Sequence, residues 1–159
     1  MSEILRLLEK DCRLSTQQLA AMLEKTPEEV KAEIENYVAN DVILGYQALI
    51  NWEKLSTEIV TALIEVSITP QRGDGFDRIA ERIYQYDEVE SVYLMSGSFD
   101  LTVIISGKTL KDVALFVAER LATIDGVTGT ATHFILKKYK EKHKIFETMP
   151  EQEERMLYL

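Results

Sequence analysis

The chain has 159 residues, with 18 Lys+Arg against 27 Asp+Glu and a formal net charge of −9. That length suits one medium domain or two small ones, and 46% hydrophobic with 28% charged residues marks a folded globular chain rather than a disordered one. The acidic balance speaks against indiscriminate binding to nucleic acid or anionic membrane, and no apolar run approaches the ~20 residues of a membrane span. The single cysteine, Cys12, excludes an intramolecular disulfide and a cysteine metal cluster. No secretion leader is read at Met1-Ser2-Glu3-Ile4, so the expected compartment is the cytoplasm.

Residues 1–50 read as three short helices and a strand. Ile4, Leu5, Leu7 and Leu8 give the first helix an apolar face. Ser15 with Gln18, then Thr26 with Glu29, have the spacing of two capping boxes, and Pro27 suits a first helical position. Leu19, Met22 and Leu23 line the second helix, and Val30, Ile34, Tyr37 and Val38 make a stripe on the third. Residues 42–50 read as extended. Three helices, a tight turn and a strand predict a winged helix-turn-helix, with residues 51–57 as the hinge out of it.

Residues 58–140 carry an internal repeat. Ala80-Glu81-Arg82-Ile83, then Tyr86-Asp87-Glu88-Val89, returns after 38 residues as Ala118-Glu119-Arg120-Leu121, then Ile124-Asp125-Gly126-Val127. Each copy is a helix, an acidic turn and a strand, and a further strand precedes each helix (59–68 and 99–106). The order βαββαβ predicts a ferredoxin-like fold, so the chain as a whole is α+β. Apolar residues at many strand positions on both faces (Ala62, Leu63, Ile64 and Val66; Leu101, Val103, Ile104 and Ile105) predict a bare sheet face packed on a second copy. Residues 141–159 form a tail, basic at first and acidic later, which is expected to add an edge strand around Lys144-Ile145-Phe146, to pack on a partner subunit, or to be disordered over its last ten residues.

No enzyme constellation is present. His133 and His143 lack metal-ligand spacing, no phosphate-binding glycine motif occurs, and Gln71-Arg72-Gly73-Asp74-Gly75 reads as a plain turn. No cofactor is expected. The segment Ser96-Gly97-Ser98-Phe99-Asp100 joins the two repeats: Gly97 gives access to positive φ, and Asp100 suits an ammonium group. Thr130 and Thr132 share one sheet face. Such a set suits an amino acid, although on the residues alone a turn with an Asx-type hydrogen bond is preferred.

These residues resemble the Lrp/AsnC (leucine-responsive, feast/famine) family of prokaryotic transcription regulators over nearly the whole chain. The resemblance is carried by Ile4-Leu5-Arg6-Leu7-Leu8 with Asp11, Arg13-Leu14-Ser15, Leu19-Ala20, and Val42-Ile43 with Gly45-Tyr46. It continues through Ser96-Gly97-Ser98-Phe99-Asp100-Leu101, Gly126-Val127 with Thr130 and Thr132, and Leu136-Lys137-Lys138-Tyr139-Lys140. It implies a DNA-binding regulator that forms homodimers and, from them, tetramers or octamers, and that responds to an amino acid. It also turns the preference at Gly97, Ser98, Phe99 and Asp100, with Thr130 and Thr132, towards an effector site.

The third helix departs from the family. Where the resemblance implies arginines, this chain has Lys31-Ala32-Glu33 and Glu35-Asn36 behind Glu28 and Glu29. Residues 1–55 hold 6 basic and 10 acidic side chains, a net of −4, and phosphate contact needs cations. The remaining candidates for DNA contact are Arg13, Lys25, Lys31 and Asn36. The alternative function is an effector sensor with weak or lost DNA binding, acting by hetero-oligomerisation with a DNA-binding paralogue.

Overall fold

The computed structural model describes residues 2–55, 59–69 and 75–146. The chain divides into two compact units, Met1–Ile50 and Asn51–Leu159. Residues 56–58, which include the end of the expected hinge, residues 70–74, which include most of the expected turn at 71–75, and the tail from 147 lie outside the described residues. Among the described residues no helix is long and apolar enough to cross a membrane.

The first unit holds α1 (Glu3–Lys10), α2 (Thr16–Leu23) and α3 (Pro27–Ala39). Both capping boxes are present: the Ser15 hydroxyl accepts from the Gln18 amide while Gln18 Oε1 accepts from the Ser15 amide, and Thr26 and Glu29 repeat the exchange. Each box satisfies amide groups that the first helical turn leaves without partners. Ile4, Leu8, Leu19, Ala20 and Val30 form the core, with Ile34, Leu23 and Ile43 packed against it. Met22 and Val38 do not join them. They are 58% and 47% exposed, because nothing described in this unit covers the side of α2 and the last turn of α3 where they stand.

The strand expected at 42–50 is absent. Asp41 takes a left-handed φ of 54°, Val42 and Ile43 both donate to the Tyr37 carbonyl, and no ladder follows. A strand exists through its partner's hydrogen bonds, and this unit supplies no partner. Leu44, at 89% exposure, together with Val42, Tyr46, Leu49 and Ile50, is left in the open.

The second unit starts with a 3₁₀ turn, Trp52–Leu55. It continues as β1 (Val60–Ile68), α4 (Asp77–Tyr84), β2 (Val89–Leu94), β3 (Leu101–Gly107), α5 (Leu110–Phe116, extended by a π turn to Leu121) and β4 (Val127–Phe134). The sheet is antiparallel in the order β2-β3-β1-β4. The two repeat copies build the same corner. Ile83 and Leu121 are both fully buried, Tyr86 and Ile124 donate to their carbonyls at 3.2 Å, and Val89 and Val127 then donate to Tyr86 and Ile124 at 3.0 Å.

Register decides the faces. Ala62 pairs with Ile105, Ile64 with Val103 and Val66 with Leu101, and all six side chains are buried in the core shared with Ile79, Ile83, Val113 and Phe116. The open face is therefore less apolar than composition alone suggests. Of the eight apolar strand residues, Leu63 and Ile104 turn to this face, set among Thr61, Glu65, Ser67 and Thr102. A polar ladder crosses it from Thr61 to Ser106 and on to Glu90. After the sheet, β5 (Lys140–Glu141) and β6 (Lys144–Ile145) pair with each other. The stretch considered as an edge strand thus forms a hairpin of its own and does not extend the main sheet.

Candidate functional site

The helical unit presents one exposed stripe on α3. Glu28, Lys31, Ala32, Glu35 and Asn36 are all solvent-exposed and recur at the three-to-four spacing of a single helix face. The cations expected to contact DNA are paired within the unit. Arg13 makes a bidentate contact with Asp11, Nε and a terminal nitrogen each 3.0 Å from a carboxylate oxygen. Lys25 Nζ lies 2.6 Å from Glu33 Oε2, and Lys31 Nζ lies 3.8 Å from Glu35 Oε1. Asn36 is engaged as well: its carbonyl and side-chain oxygens both accept from the Asn40 amide nitrogen.

Glu33 has further partners. Its second oxygen accepts from the Tyr37 hydroxyl at 3.0 Å and from the Ser2 hydroxyl at 3.3 Å. Hydrogen bonding from Lys25, then from Tyr37, holds the Glu33 carboxyl below the usual glutamate range, and Glu33 raises Lys25 in turn. Glu29 is lowered by the Thr26 backbone amide and then the Thr26 hydroxyl. The Asp11 contact raises Arg13.

In the sheet unit, the loop 95–100 is closed by Met95 donating to the Asp100 carbonyl at 2.8 Å and Asp100 donating to the Val66 carbonyl at 3.1 Å. Asp100 Oδ2 accepts from the Ile68 amide at 2.7 Å. One carboxylate oxygen thus latches the loop to the end of β1, and among the described residues no donor meets Oδ1. Gly97 does not take the positive φ expected of it; Gly75 and Gly126 do. A loop of this length closes without a left-handed residue at that point. A Cβ at Gly97 would meet nothing within 4 Å. Ser98 is exposed and Phe99 half-buried.

Thr130 lies opposite Val66, and Thr132 opposite Ile64, on the far side of β1 from the loop. Asp100 and Thr130 therefore flank the same end of β1, about 10 Å apart at two strand spacings, while Thr132 sits two residues further along the sheet. Both threonines are half-buried and face the helix-covered side. On the opposite, open face of the sheet Glu65, Ser67, Gly129 and Ala131, with the edge of Thr130, line a shallow hollow of about 230 Å³. Glu65 contacts His133 Nε2 at 3.3 Å. Sequence reasoning passes over Glu65, Ser67 and Gly129. The available signal is that Glu65 and Ser67 interrupt an otherwise apolar strand at alternate positions.

The profile of the Lrp/AsnC ligand-binding domain matches residues 61–145. The chain is 50% identical over 148 residues to YugG, an HTH-type transcriptional regulator of Bacillus subtilis, covering 92% of this chain and 89% of that one. Two solved structures share the fold. The feast or famine regulatory protein of M. tuberculosis, complexed with L-methionine, has a TM-score of 0.72 at 21% identity, covering 91% of this chain and 95% of that one. A transcriptional regulator of Neisseria meningitidis in complex with L-methionine has 0.71 at 22%, covering 89% and 93%. A helical unit ahead of a ligand-binding sheet unit, with such relatives, defines a transcription regulator. The chain belongs to the Lrp/AsnC family.

Proposed function

We propose that this regulator binds duplex DNA through residues 1–50, acting as a winged helix-turn-helix, and senses an amino acid with a ferredoxin-like domain. The observation that carries the reading is the exposed stripe of α3, presented by two capped helices across a short turn. A helix so offered fits the major groove. Asn36 suits adenine and Lys31 suits guanine, Ala32 can meet a thymine methyl, and Glu28 and Glu35 can accept from cytosine N4. Arg13 and Lys25 would meet phosphate by exchanging a carboxylate partner for a phosphate oxygen.

The effector site is the end of the sheet at Gly97, Ser98, Phe99 and Asp100. The Asp100 oxygen not used by Ile68 takes the ammonium group and loop amides take the carboxylate, while Thr130 and Thr132, across β1 and turned to the helix-covered side, stand too far to meet the same ligand. The open space at Gly97 supports an approach by something outside the chain, either ligand or second copy. The uncovered apolar stretch at 42–50 supports assembly into a homodimer, since extended backbone without a partner invites pairing.

Calorimetric titration of the full chain with L-methionine and other amino acids tests the sensor. Saturable heat that disappears in Asp100→Ala is expected. Titration curves identical for wild type and Asp100→Ala would overturn the site.

A further inference from the structure

Arg13, Lys25 and Lys31 are all engaged by carboxylates, yet a regulator's affinity for DNA comes largely from phosphate contacts. The sheet unit holds cations that are not so engaged. Lys140 and Glu141 pair with Ile145 and Lys144 in a two-stranded hairpin, closed at its base by Phe146 donating to the Tyr139 carbonyl at 3.0 Å. Lys140, Lys142 and Lys144 are exposed and form no ion pair among the described residues. Glu141, the one carboxylate in the hairpin, is already contacted by Lys138 at 3.5 Å.

The turn adds an independent observation. Lys142 and His143 have φ of 42° and 67°, both left-handed, as a type I′ turn demands at its two central residues. Asn-Gly meets that demand without strain, whereas Lys and His bear a steric cost. Strain held at an exposed tip by two basic side chains marks a place where chemistry outweighs local stability.

We propose that this hairpin is a second DNA-contact surface, which holds backbone phosphates through Lys140, Lys142 and Lys144. It reads no bases; the hairpin supplies sequence-independent attraction that the acidic α3 lacks. The proposal rests on the DNA-binding reading above.

The test is fluorescence anisotropy of the full chain on a random-sequence duplex of about 30 base pairs, near three helical turns, with log Kd followed against log salt. Replacing all three lysines by glutamine should weaken binding and reduce the salt slope by about 2–3, at roughly 0.9 for each phosphate no longer neutralised. The double variant Lys142→Asn with His143→Gly relieves the turn, so it should keep or raise the melting temperature while still binding more weakly. Lys108→Gln with Lys111→Gln, a change of two charges elsewhere in the same unit, should leave the slope near wild type.

An unchanged slope in the triple variant, or an equal fall in the Lys108 and Lys111 variant, overturns the proposal. Ala32→Glu separates it from the underlying reading. Loss of binding there supports α3 in the groove, and no effect sinks the α3 contact while the hairpin is judged by its own slope. A wild-type chain that binds no duplex at about 50 mM salt overturns both.

Discussion

Glu33 Oε2 stands 2.6 Å from Lys25 Nζ, and the same carboxylate accepts hydroxyls from Tyr37 on its own helix and from Ser2 at the start of α1. One side chain thus ties the turn before α3 and the N-terminal end of α1 to α3 itself, and it occupies a cation that would otherwise be free for phosphate. Glu33→Gln should lower the melting temperature slightly and, by freeing Lys25, strengthen DNA binding at low salt with a steeper salt dependence. Paired thermal melts and anisotropy titrations read the two effects. Weaker DNA binding in the variant would show that Glu33 helps the contact rather than masking it.

The same carboxylate sets a pH dependence. Glu33 and Glu29 are held below their ordinary range in the folded state, so their contribution to stability is fully present above the unfolded value of about 4.3. It is lost as pH falls from there through the lower folded values. Melting temperature should drop through that acidic window, and less steeply in Glu33→Gln. Identical acid profiles for the two proteins would remove Glu33 as a cause.

Asp100 has two separable tasks. Asp100→Ala leaves the Ile68 amide without its acceptor at a largely buried strand end, which should cost about 1–3 kcal/mol. Asp100→Asn keeps an acceptor oxygen but not the charge. It should stay near wild-type stability and still lose the thermal shift given by L-methionine. Retention of that shift in Asp100→Asn would exclude an ammonium partner at this carboxylate.

Gly126 has a φ of 95°, and a Cβ there would stand 2.8 Å from Ile79 Cδ1. The residue also closes the end of β1, since its carbonyl accepts from the Thr69 amide at 2.8 Å. Gly126→Ala should destabilise by upward of about 1 kcal/mol. Gly97→Ala, with open space and no left-handed φ, should leave the melting temperature unchanged. Calorimetric melts distinguish them, and a reversed order would contradict the geometry.

Much of this architecture is legible from neighbouring residues. Ser15 with Gln18 and Thr26 with Glu29 specify helix starts because a capping box is complete within four residues. The repeat around Ile83 and Leu121 is legible because each copy carries its own turn and its own buried anchor. What is not local is not legible. The stretch at 42–50 has strand-like composition and no partner within the unit. The apolar side chains of β1 and β3 are divided between the two faces by register, so only pairing shows that Leu63 and Ile104 stand apart from Ile64 and Val103. At the candidate effector site the loop is readable as a loop. The latch from Asp100 to Ile68 joins residues 32 positions apart, and no spacing rule reaches that far.

The claim that this acidic helical unit engages DNA is tested most directly by titrating the full-length chain into a labelled duplex at about 50 mM salt and repeating the titration at about 200 mM. The expected result is saturable binding that weakens with salt, less steeply than for a unit with unpaired arginines, and that Ala32→Glu weakens. A folded chain that leaves the anisotropy flat at the lower salt would contradict the account.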